Sequence, residues 1–351
     1  MAMKEIKNKI LKKLIKKNRP ILVAEISANH NGSLAKAKKL IDSAKKYGAD
    51  LVKLQTYTPD TMTIKSKKRD FKITQGLWKG KTLWDLYSKA QTPFSWQKIL
   101  FDYAKKKNIL CFSTPFDESA LKVLEGINCP FYKISSFEMT DIPLIKQVAK
   151  TKKPVIISTG LASLKEIETT IRKAKKYGIR DLIILYCVSS YPAKLKDFNL
   201  NNIKILKKKF NCIVGLSDHS KDNLVAQTAV ALGAQIVEKH IALDNQVKGF
   251  DVDFSLKGKK IREFKNSLVN TWKLLGKKYY KRSENEKYNL KFRRSIYIVK
   301  NIKKEERFSQ INLRRIRPGY GLSPIFYDKI IGKRALKNFS AGTPFKLKYV
   351  K

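Results

Sequence analysis

Residues 21–33 read ILVAEISANHNGS, a continuous apolar run that ends in a carboxylate and a cluster of polar residues. An amphipathic segment, residues 34–47, follows this run. Continuous apolar strands that alternate with helices are typical of parallel βα units. The apolar run returns seven more times, at Asp50–Gln55, Ile109–Ser113, Phe131–Ser135, Pro154–Ser158, Leu182–Cys187, Cys212–Gly215 and Gln235–His240. Eight such units match the span of roughly 250 residues of an α/β fold, the (β/α)8 TIM barrel, which is therefore predicted.

An open, doubly wound sheet is the alternative α/β fold. Such a sheet usually has fewer strands, and a glycine-rich turn follows its first strand. Residues 26–33 contain a single glycine, Gly32, so the barrel is favoured.

The barrel is predicted to occupy residues 20–275, and three segments lie outside it. Residues 1–19 are a basic N-terminal extension, residues 276–292 read as a polar linker, and residues 293–351 form a small C-terminal unit. Within the barrel, the connection Thr56–Thr92 is unusually long and rich in aromatic residues. Long connections at strand ends are commonly lids or substrate walls.

The N-terminal extension has an amphipathic pattern. Apolar side chains fall on one face at helical spacing, with Lys elsewhere; they are Ile6, Ile10, Leu11, Leu14 and Ile15. A basic amphipathic helix can lie on a membrane surface or cover the end of the following domain. The covering helix is the preferred interpretation.

The charge and composition of the chain indicate which classes of molecule it binds. The chain has 75 Lys and Arg against 29 Asp and Glu, a formal net charge of +46, yet only 13 of the basic residues are Arg. Because phosphate-reading proteins rely on the bidentate fork of Arg, we expect no nucleic acid partner, whereas anionic small substrates fit the charge. The sequence has neither an apolar membrane span nor a secretory signal, so we expect a cytoplasmic protein without a membrane partner. Four widely separated Cys residues are expected to be free thiols.

Polar side chains are concentrated where the predicted strands end, and in a barrel these ends gather at one mouth, where catalysis takes place. Lys53 and Lys133 lie on inward faces, and together with serines they predict an anion cradle for a phosphate or carboxylate. The serines are Ser136, Ser158, Ser189 and Ser217. Two alternatives stay open for the lysines: a Schiff base, as in class I aldolases, or internal ion pairs. The candidate ion-pair partners are Glu25, Glu138 and Glu238.

The chain has three histidines, His30, His219 and His240, and all three fall at strand ends. His219 and His240 follow the seventh and eighth predicted strands, which are neighbours in a barrel. A single His is more often a hydrogen-bonded structural residue, but two on adjacent strands predict a divalent-metal site. Two metal-ligand candidates also count against Schiff-base chemistry.

This chain resembles the sialic acid synthase family in an ordered series of motifs: AEISANHNGS (24–33), VKLQTYTPDT (52–61), GLWKGKTLWDLY (76–87), CFSTPFD (111–117), YKISSFE (132–138), ISTGLAS (157–163) and GLSDHS (215–220). Its C-terminal unit resembles the antifreeze-like (SAF) domain of that family, in RPGYGLSP (317–324) and IIGKRA (330–335). The resemblance covers about residues 20–351 and is closest to the family's pseudaminic acid branch.

The resemblance implies an enzyme that condenses phosphoenolpyruvate with an amino-sugar aldehyde. For the pseudaminic acid branch, the sugar is a 2,4-diacetamido-2,4,6-trideoxy hexose (6-deoxy-AltdiNAc), and the products are pseudaminic acid and phosphate. It implies Mn²⁺ or Mg²⁺ at His219 and His240, and Glu25 as the general acid/base. The residues implied to bind phosphoenolpyruvate are Lys53, Lys133, Ser136, Ser158, Ser189 and Ser217.

The resemblance also implies which residues meet the sugar. The implied contacts are Gln55, Glu138, Tyr191, Asp251 and Arg317. Arg317 would be delivered by the SAF domain of one subunit to the partner's site in a homodimer. At Ser189 the sialic acid branch commonly has Asn, so the phosphate contact there departs from that pattern.

Two alternative functions remain at this stage. Within the family, the chain could be an N-acetylneuraminate or legionaminate synthase that uses N-acetylmannosamine or another diacetamido sugar. A basic nucleic-acid-binding protein with a vestigial barrel mouth is the alternative of another class. The sequence lacks the stacking-plus-arginine pattern that such a protein would show, so this alternative ranks far below.

Overall fold

A computed structural model describes residues 8–15, 19–76, 78–276 and 279–351. The chain divides into two compact units, Met1–Gly276 and Lys277–Lys351.

Among the described residues of the first unit, eight parallel strands close into a barrel. They are β1 (Ile21–Glu25), β2 (Leu51–Thr56), β3 (Leu110–Pro115), β4 (Tyr132–Ile134), β5 (Val155–Ser158), β6 (Leu182–Cys187), β7 (Ile213–Asp218) and β8 (Ile236–Ala242). The strands pair in chain order, and β1 closes the ring by pairing in parallel with β8, with Glu25 opposite His240. A two-residue strand, β9 (Leu256–Lys257), pairs with the end of β8. The predicted TIM barrel is confirmed, and each predicted apolar run overlaps one of its strands.

The helices of the first unit are α1 (Lys9–Ile15), α2 (Leu34–Lys46), α3 (Pro59–Met62), α4 (Leu83–Ala90), α5 (Phe94–Lys106), α6 (Glu118–Gly126), α7 (Ile142–Lys150), α8 (Leu164–Lys176), α9 (Asn201–Phe210), α10 (Asn223–Ala231) and α11 (Lys259–Leu274). Several begin at a side-chain cap. Ser33 accepts a hydrogen bond from the backbone N–H of Lys36 at the start of α2. Ser163 and Glu166 form a capping box at the start of α8. A cap satisfies backbone N–H groups that have no partner within the helix. It therefore fixes the residue at which the helix begins and the preceding loop from the mouth ends.

The barrel strands are buried on both faces. Every residue of β1, β7 and β8 is buried, including the charged ones. One face of each strand packs against the helices and the other fills the barrel, which explains the continuous apolar runs in the sequence. The buried polar side chains are concentrated towards the carboxyl ends of the strands, and these ends form the mouth.

Helix α1, in the N-terminal extension, packs against the barrel. Leu11 and Leu14 belong to the main hydrophobic core, where Leu11 is 1% exposed. The backbone N–H of Asn8 donates to the carboxylate of Asp181, which directly precedes β6. The helix therefore lies at the amino ends of the strands, as a covering helix does. Ile6, which the amphipathic pattern included, lies outside the described residues.

The second unit has a small core of its own. Strands β10 (Ser295–Ile298) and β11 (Leu313–Ile316) pair antiparallel, and their apolar residues pack with Phe308 and Phe345. Two short helices, α12 (Glu284–Tyr288) and α13 (Tyr327–Ile330), belong to it. Helix α12 lies within the predicted linker 276–292, where Ser283 and Glu286 form a capping box. A capping box can thus start a short helix within a polar segment; residues 277 and 278 of this segment lie outside the described residues.

Across the described ranges, we find no helix that combines the length and apolar character needed to cross a membrane. All four Cys residues are free, and Cys111, Cys129 and Cys187 are buried.

The packing of α1 gives a stability prediction. Leu11→Ala should lower the free energy of unfolding by about 2–3 kcal/mol, because it removes a buried side chain and leaves a cavity. The matched control is Ile10→Ala on the same helix, where Ile10 is 40% exposed, and it should change the value by less than about 0.5 kcal/mol. Urea denaturation of both variants measures the difference. Equal effects of the two substitutions would contradict the packing of α1 against the barrel.

Candidate active site

Four buried charged side chains form the floor of the mouth. Lys53 Nζ lies 2.6 Å from Glu25 Oε2 and 3.4 Å from Glu238 Oε1, and Lys133 Nζ contacts the same Glu238 oxygen. All four side chains are 5% exposed or less. Because Glu25 pairs with Lys53 in the register of β1 and β2, the neighbouring strands place these groups side by side. Glu25, Lys53, Lys133 and Glu238 are called the charge cluster below.

The pKa values of the charge cluster show which groups keep their charge. Burial raises the pKa of Glu238, but Lys133 and Lys53 outweigh burial and lower it to about 2. Burial lowers the pKa of Lys53, but Glu238 and Glu25 outweigh burial and raise it above its ordinary value. For Lys133 burial prevails: with the nearby Lys53 charge it lowers the pKa, against the attraction of Glu238.

The ion-pair alternative for the two lysines and the expected anion cradle both involve this cluster. The ion pairs are present, with Glu25 and Glu238 as partners; Glu138 instead accepts a hydrogen bond from Ser135. One hydroxyl group of the expected cradle contacts the same cluster. Ser217 Oγ donates to Glu238 Oε1 at 3.1 Å and lies 3.5 Å from Lys133 Nζ.

The remaining serines lie beside Gly160, at the end of β5. Ser136 Oγ accepts a hydrogen bond from the Gly160 N–H at 3.1 Å. A Cβ at position 160 would lie 2.1 Å from Ser189 Oγ and 2.8 Å from Ser136 Oγ, so only glycine lets the two hydroxyls come this close. Among the described residues, the buried Ser158 Oγ has no hydrogen-bond partner. A donor left free in a polar pocket suits an anionic oxygen.

The two predicted metal-ligand histidines lie next to each other. The ring centroids of His219 and His240 are 5.4 Å apart. His219 Nδ1 lies 3.0 Å from the backbone oxygen of Val188, and His240 Nδ1 lies 3.4 Å from Asp251 Oδ2. Because the Val188 carbonyl can only accept, His219 donates from Nδ1 and keeps its Nε2 lone pair for a ligand, as metal-binding histidines do. His240 Nδ1 faces the Asp251 carboxylate without the geometry of a hydrogen bond.

Two neighbouring imidazoles are a donor set that divalent ions accept. The part of the chain that the structure describes has no group of three or more His, Cys, Asp or Glu side chains placed to hold a metal ion. An ion at His219 and His240 would therefore take its other ligands from water and substrate, the open coordination that catalytic metals have.

Four of the five candidate sugar-binding residues lie at or beyond the carboxyl ends of barrel strands. Gln55 is half-buried at the end of β2, and burial raises the pKa of Glu138 and of Tyr191. Burial also raises the pKa of Asp251, but its contact with His240 outweighs burial and lowers it. The structure brings these four residues to the mouth region of the barrel unit. Arg317 lies in the second unit, where it is exposed directly after β11.

The long connection after β2 forms a wall of the mouth. Trp78 Nε1 donates to the backbone oxygen of Phe250, and the Trp78 and Tyr191 rings have centroids 5.9 Å apart. The connection therefore lies against the loop that carries Asp251. Leu77, within the LWDLY-containing motif, lies outside the described residues.

Sequence reasoning missed two residues of this site. Glu238 was considered only as an ion-pair partner, although it lies two residues before His240 on β8 and so shares its inward face. Ser27, whose hydroxyl donates to Asp251 Oδ2 at 2.6 Å, had no signal in the sequence, because its partner is 224 residues away. The third histidine, His30, is buried, and both of its ring nitrogens have protein partners, Thr92 Oγ1 and the Gly32 N–H.

Comparison with known proteins identifies the family. Residues 40–280 match the NeuB family, and residues 293–350 match the SAF domain. The chain belongs to the NeuB family. The resemblance seen in the motifs, including the C-terminal SAF domain, is confirmed.

Relatives of this NeuB family member differ in their named products. A pseudaminic acid synthase of Campylobacter jejuni subsp. jejuni serotype O:23/36 (strain 81-176) is 43% identical over 93% of this chain and 95% of that protein. An N,N'-diacetyllegionaminic acid synthase of Campylobacter jejuni subsp. jejuni serotype O:2 (strain ATCC 700819 / NCTC 11168) is 35% identical over 91% of this chain and 96% of that protein.

Among solved structures, the N-acetylneuraminic acid (sialic acid) synthetase of Leptospira borgpetersenii serovar Hardjo-bovis, in complex with citrate, superposes with a TM-score of 0.70. It is 32% identical, and the match covers 78% of this chain and 91% of that chain.

The charge cluster gives a prediction about the pH dependence of stability. At pH 7, Glu238→Gln should lower the free energy of unfolding by about 3 kcal/mol, because Lys133 loses its carboxylate partner. The pKa of Glu238 is about 2 in the fold against an ordinary 4.5, so its contribution is present above about pH 4.5 and is lost as the pH falls. The difference between wild type and variant should therefore shrink between about pH 5 and pH 3 in urea denaturation.

The matched control is Glu284→Gln, whose side chain is 73% exposed, and it should change stability by less than about 0.5 kcal/mol at every pH. A difference between wild type and Glu238→Gln that stays constant with pH would contradict the assignment of a low pKa to Glu238.

Proposed function

We propose that this NeuB family member condenses phosphoenolpyruvate with 6-deoxy-AltdiNAc, a 2,4-diacetamido-2,4,6-trideoxy hexose, to give pseudaminic acid and phosphate. The choice of sugar rests on sequence identity, which is 43% to a pseudaminic acid synthase and 35% to a legionaminic acid synthase. The reaction class rests on the family together with the buried cations and hydroxyl groups at the mouth of the barrel. A legionaminate or N-acetylneuraminate synthase is the alternative.

Phosphoenolpyruvate would be held by the lysines of the charge cluster and by the serines around them. Lys53 and Lys133 are buried ammonium groups, and hydrogen bonds from charged donors to phosphate or carboxylate oxygens are among the strongest in proteins. The hydroxyl groups that would complete the cradle are those of Ser136, Ser158, Ser189 and Ser217. In this arrangement the phosphate is fixed before it leaves, and charge that develops on the enolpyruvate is stabilised by groups already in place.

His219 and His240 would hold the divalent ion, Mn²⁺ or Mg²⁺. Such an ion supplies Lewis-acid polarisation of the aldehyde oxygen and positive charge beside the anionic substrate. The two imidazoles are oriented for this role by their Nδ1 contacts to Val188 and Asp251.

Glu25 is the proposed general acid/base. Its Oε1 accepts the N–H of Ser27 at 2.8 Å and its Oε2 faces Lys53, so both oxygens have a fixed position at the end of β1. The new bond joins the methylene carbon of phosphoenolpyruvate to the aldehyde carbon, whose oxygen takes up a proton. Water adds at the carbon that bears the phosphate and gives up a proton, and phosphate leaves as the bond between that carbon and the phosphate oxygen breaks. A carboxylate at this point can take the proton of the attacking water.

The sugar would be recognised by Gln55, Glu138, Tyr191 and Asp251. Arg317 would add a contact from the SAF domain of the second subunit of a homodimer. We place the enzyme in the cytoplasm, where phosphoenolpyruvate is made and consumed.

The direct test is an assay of phosphate release with separate sugars. We expect turnover with phosphoenolpyruvate and 6-deoxy-AltdiNAc, with a kcat/KM at least roughly 100-fold higher than with N-acetylmannosamine or the diacetamido sugar of legionaminic acid. A mass spectrum of each product checks that one pyruvate unit is added. The matched control is Glu25→Gln, which keeps the side-chain shape and should release no phosphate. A preference for another sugar would replace the proposed substrate, and no release with any sugar would overturn the reaction.

Metal dependence is tested by binding as well as by activity. Chelation should abolish turnover and added Mn²⁺ should restore it. Calorimetry should show that His219→Ala binds Mn²⁺ at least tenfold more weakly, since one of two protein ligands is lost. His30→Asn is the matched control and should bind Mn²⁺ as the wild type does, because both ring nitrogens of His30 already have protein partners. Full activity of the chelated enzyme would remove His219 and His240 from the role of metal ligands.

A further inference from the structure

Ser27 has a backbone conformation that serine rarely adopts. Its φ is +46°, in the left-handed region that favours glycine, and the residue is 5% exposed. It lies two residues beyond Glu25, in the turn that leaves β1 at the mouth. A side chain persists at such a position only where the surrounding contacts hold it there, and these positions are concentrated at functional sites.

The two polar groups of Ser27 reach two different parts of the site. Its N–H donates to Glu25 Oε1 at 2.8 Å, and its hydroxyl donates to Asp251 Oδ2 at 2.6 Å. The left-handed turn therefore allows one residue to contact both carboxylates.

Asp251 extends this connection to the histidines. The oxygen that accepts the Ser27 hydroxyl lies 3.4 Å from His240 Nδ1, so the hydrogen bond from Ser27 sets how this carboxylate oxygen faces the imidazole. An acceptor on Nδ1 fixes the tautomer and orientation of a metal-binding imidazole, and losing such a partner typically weakens metal binding by 10- to 100-fold.

The loops themselves are joined by a second set of hydrogen bonds. The Asp251 N–H donates to Asn29 Oδ1 at 3.2 Å, and Asn29 Nδ2 donates to the backbone oxygen of Ile241 at 2.8 Å. These bonds do not involve Ser27. Removing the Ser27 hydroxyl should therefore leave the two loops together and change only the position of the Asp251 carboxylate.

We propose that Ser27 is a positioning residue, which sets the placement of the carboxylate of Glu25 relative to the imidazole of His240 through its contacts with Glu25 and Asp251. The proposal rests on the proposed function for the roles of Glu25 and of the metal. Ser27 acts through these residues and needs no contact with the substrate.

Two substitutions distinguish a positioning role of Ser27 from an effect on the stability of the fold alone. Ser27→Ala keeps the unfavourable φ and loses the hydroxyl, whereas Ser27→Gly relieves the backbone and loses the same hydroxyl. Both keep the N–H that holds Glu25. We expect both variants to bind Mn²⁺ about tenfold more weakly in calorimetry and to have a similarly lower kcat, with the KM for phosphoenolpyruvate within about twofold of wild type. Their melting temperatures should differ, with the Gly variant above the Ala variant.

The matched control is Ser33→Ala, a helix cap in the same loop, which should keep the Mn²⁺ affinity of the wild type. A double-mutant cycle completes the test: in an Asp251→Ala background, Ser27→Ala should weaken Mn²⁺ binding no further, because the shared partner is gone.

Three results would overturn the proposal. The Mn²⁺ affinity of the variants could follow their melting temperatures, it could stay at the wild-type value in both Ser27 variants, or the losses could add in the double-mutant cycle. A wild-type enzyme that neither binds Mn²⁺ nor releases phosphate with any of the sugars would overturn the proposed function instead.

Discussion

Two buried ammonium groups and two buried carboxylates balance each other at the mouth of the barrel, and the rest of the site depends on that balance. Lys53 and Lys133 enter from β2 and β4, whereas Glu25 and Glu238 enter from β1 and β8. An isolated charge at such depth costs several kcal/mol, so each of the four side chains requires the others. The positions of these four side chains are therefore fixed before any substrate arrives. Substrate binding then requires less ordering of the side chains in the site.

The balanced charge also bears on the proposed substrates. A multiply charged anion placed over a neutral cluster would lack sufficient positive charge, which the divalent ion proposed at His219 and His240 would supply. Charge cluster, serine cradle and imidazole pair thus form one electrostatic unit.

Much of this arrangement follows from local sequence patterns. Eight apolar runs separated by amphipathic segments indicated the barrel, and the barrel placed Lys53, His219 and His240 at one mouth. The remainder depends on contacts between distant residues. The pairing of Lys133 with Glu238 spans 105 positions and that of Ser27 with Asp251 spans 224, and no local pattern specifies them. The left-handed turn at Ser27 and the short helix α12 in a polar segment likewise depend on hydrogen bonds that composition does not reveal.

The most direct measurement is a crystal structure of the wild-type enzyme with phosphoenolpyruvate and Mn²⁺ bound. We expect the phosphate beside Lys133 and the hydroxyl of Ser158, with the ion bonded to the Nε2 atoms of His219 and His240. Phosphoenolpyruvate bound away from the charge cluster, or Mn²⁺ bound at residues other than these two histidines, would contradict this expectation.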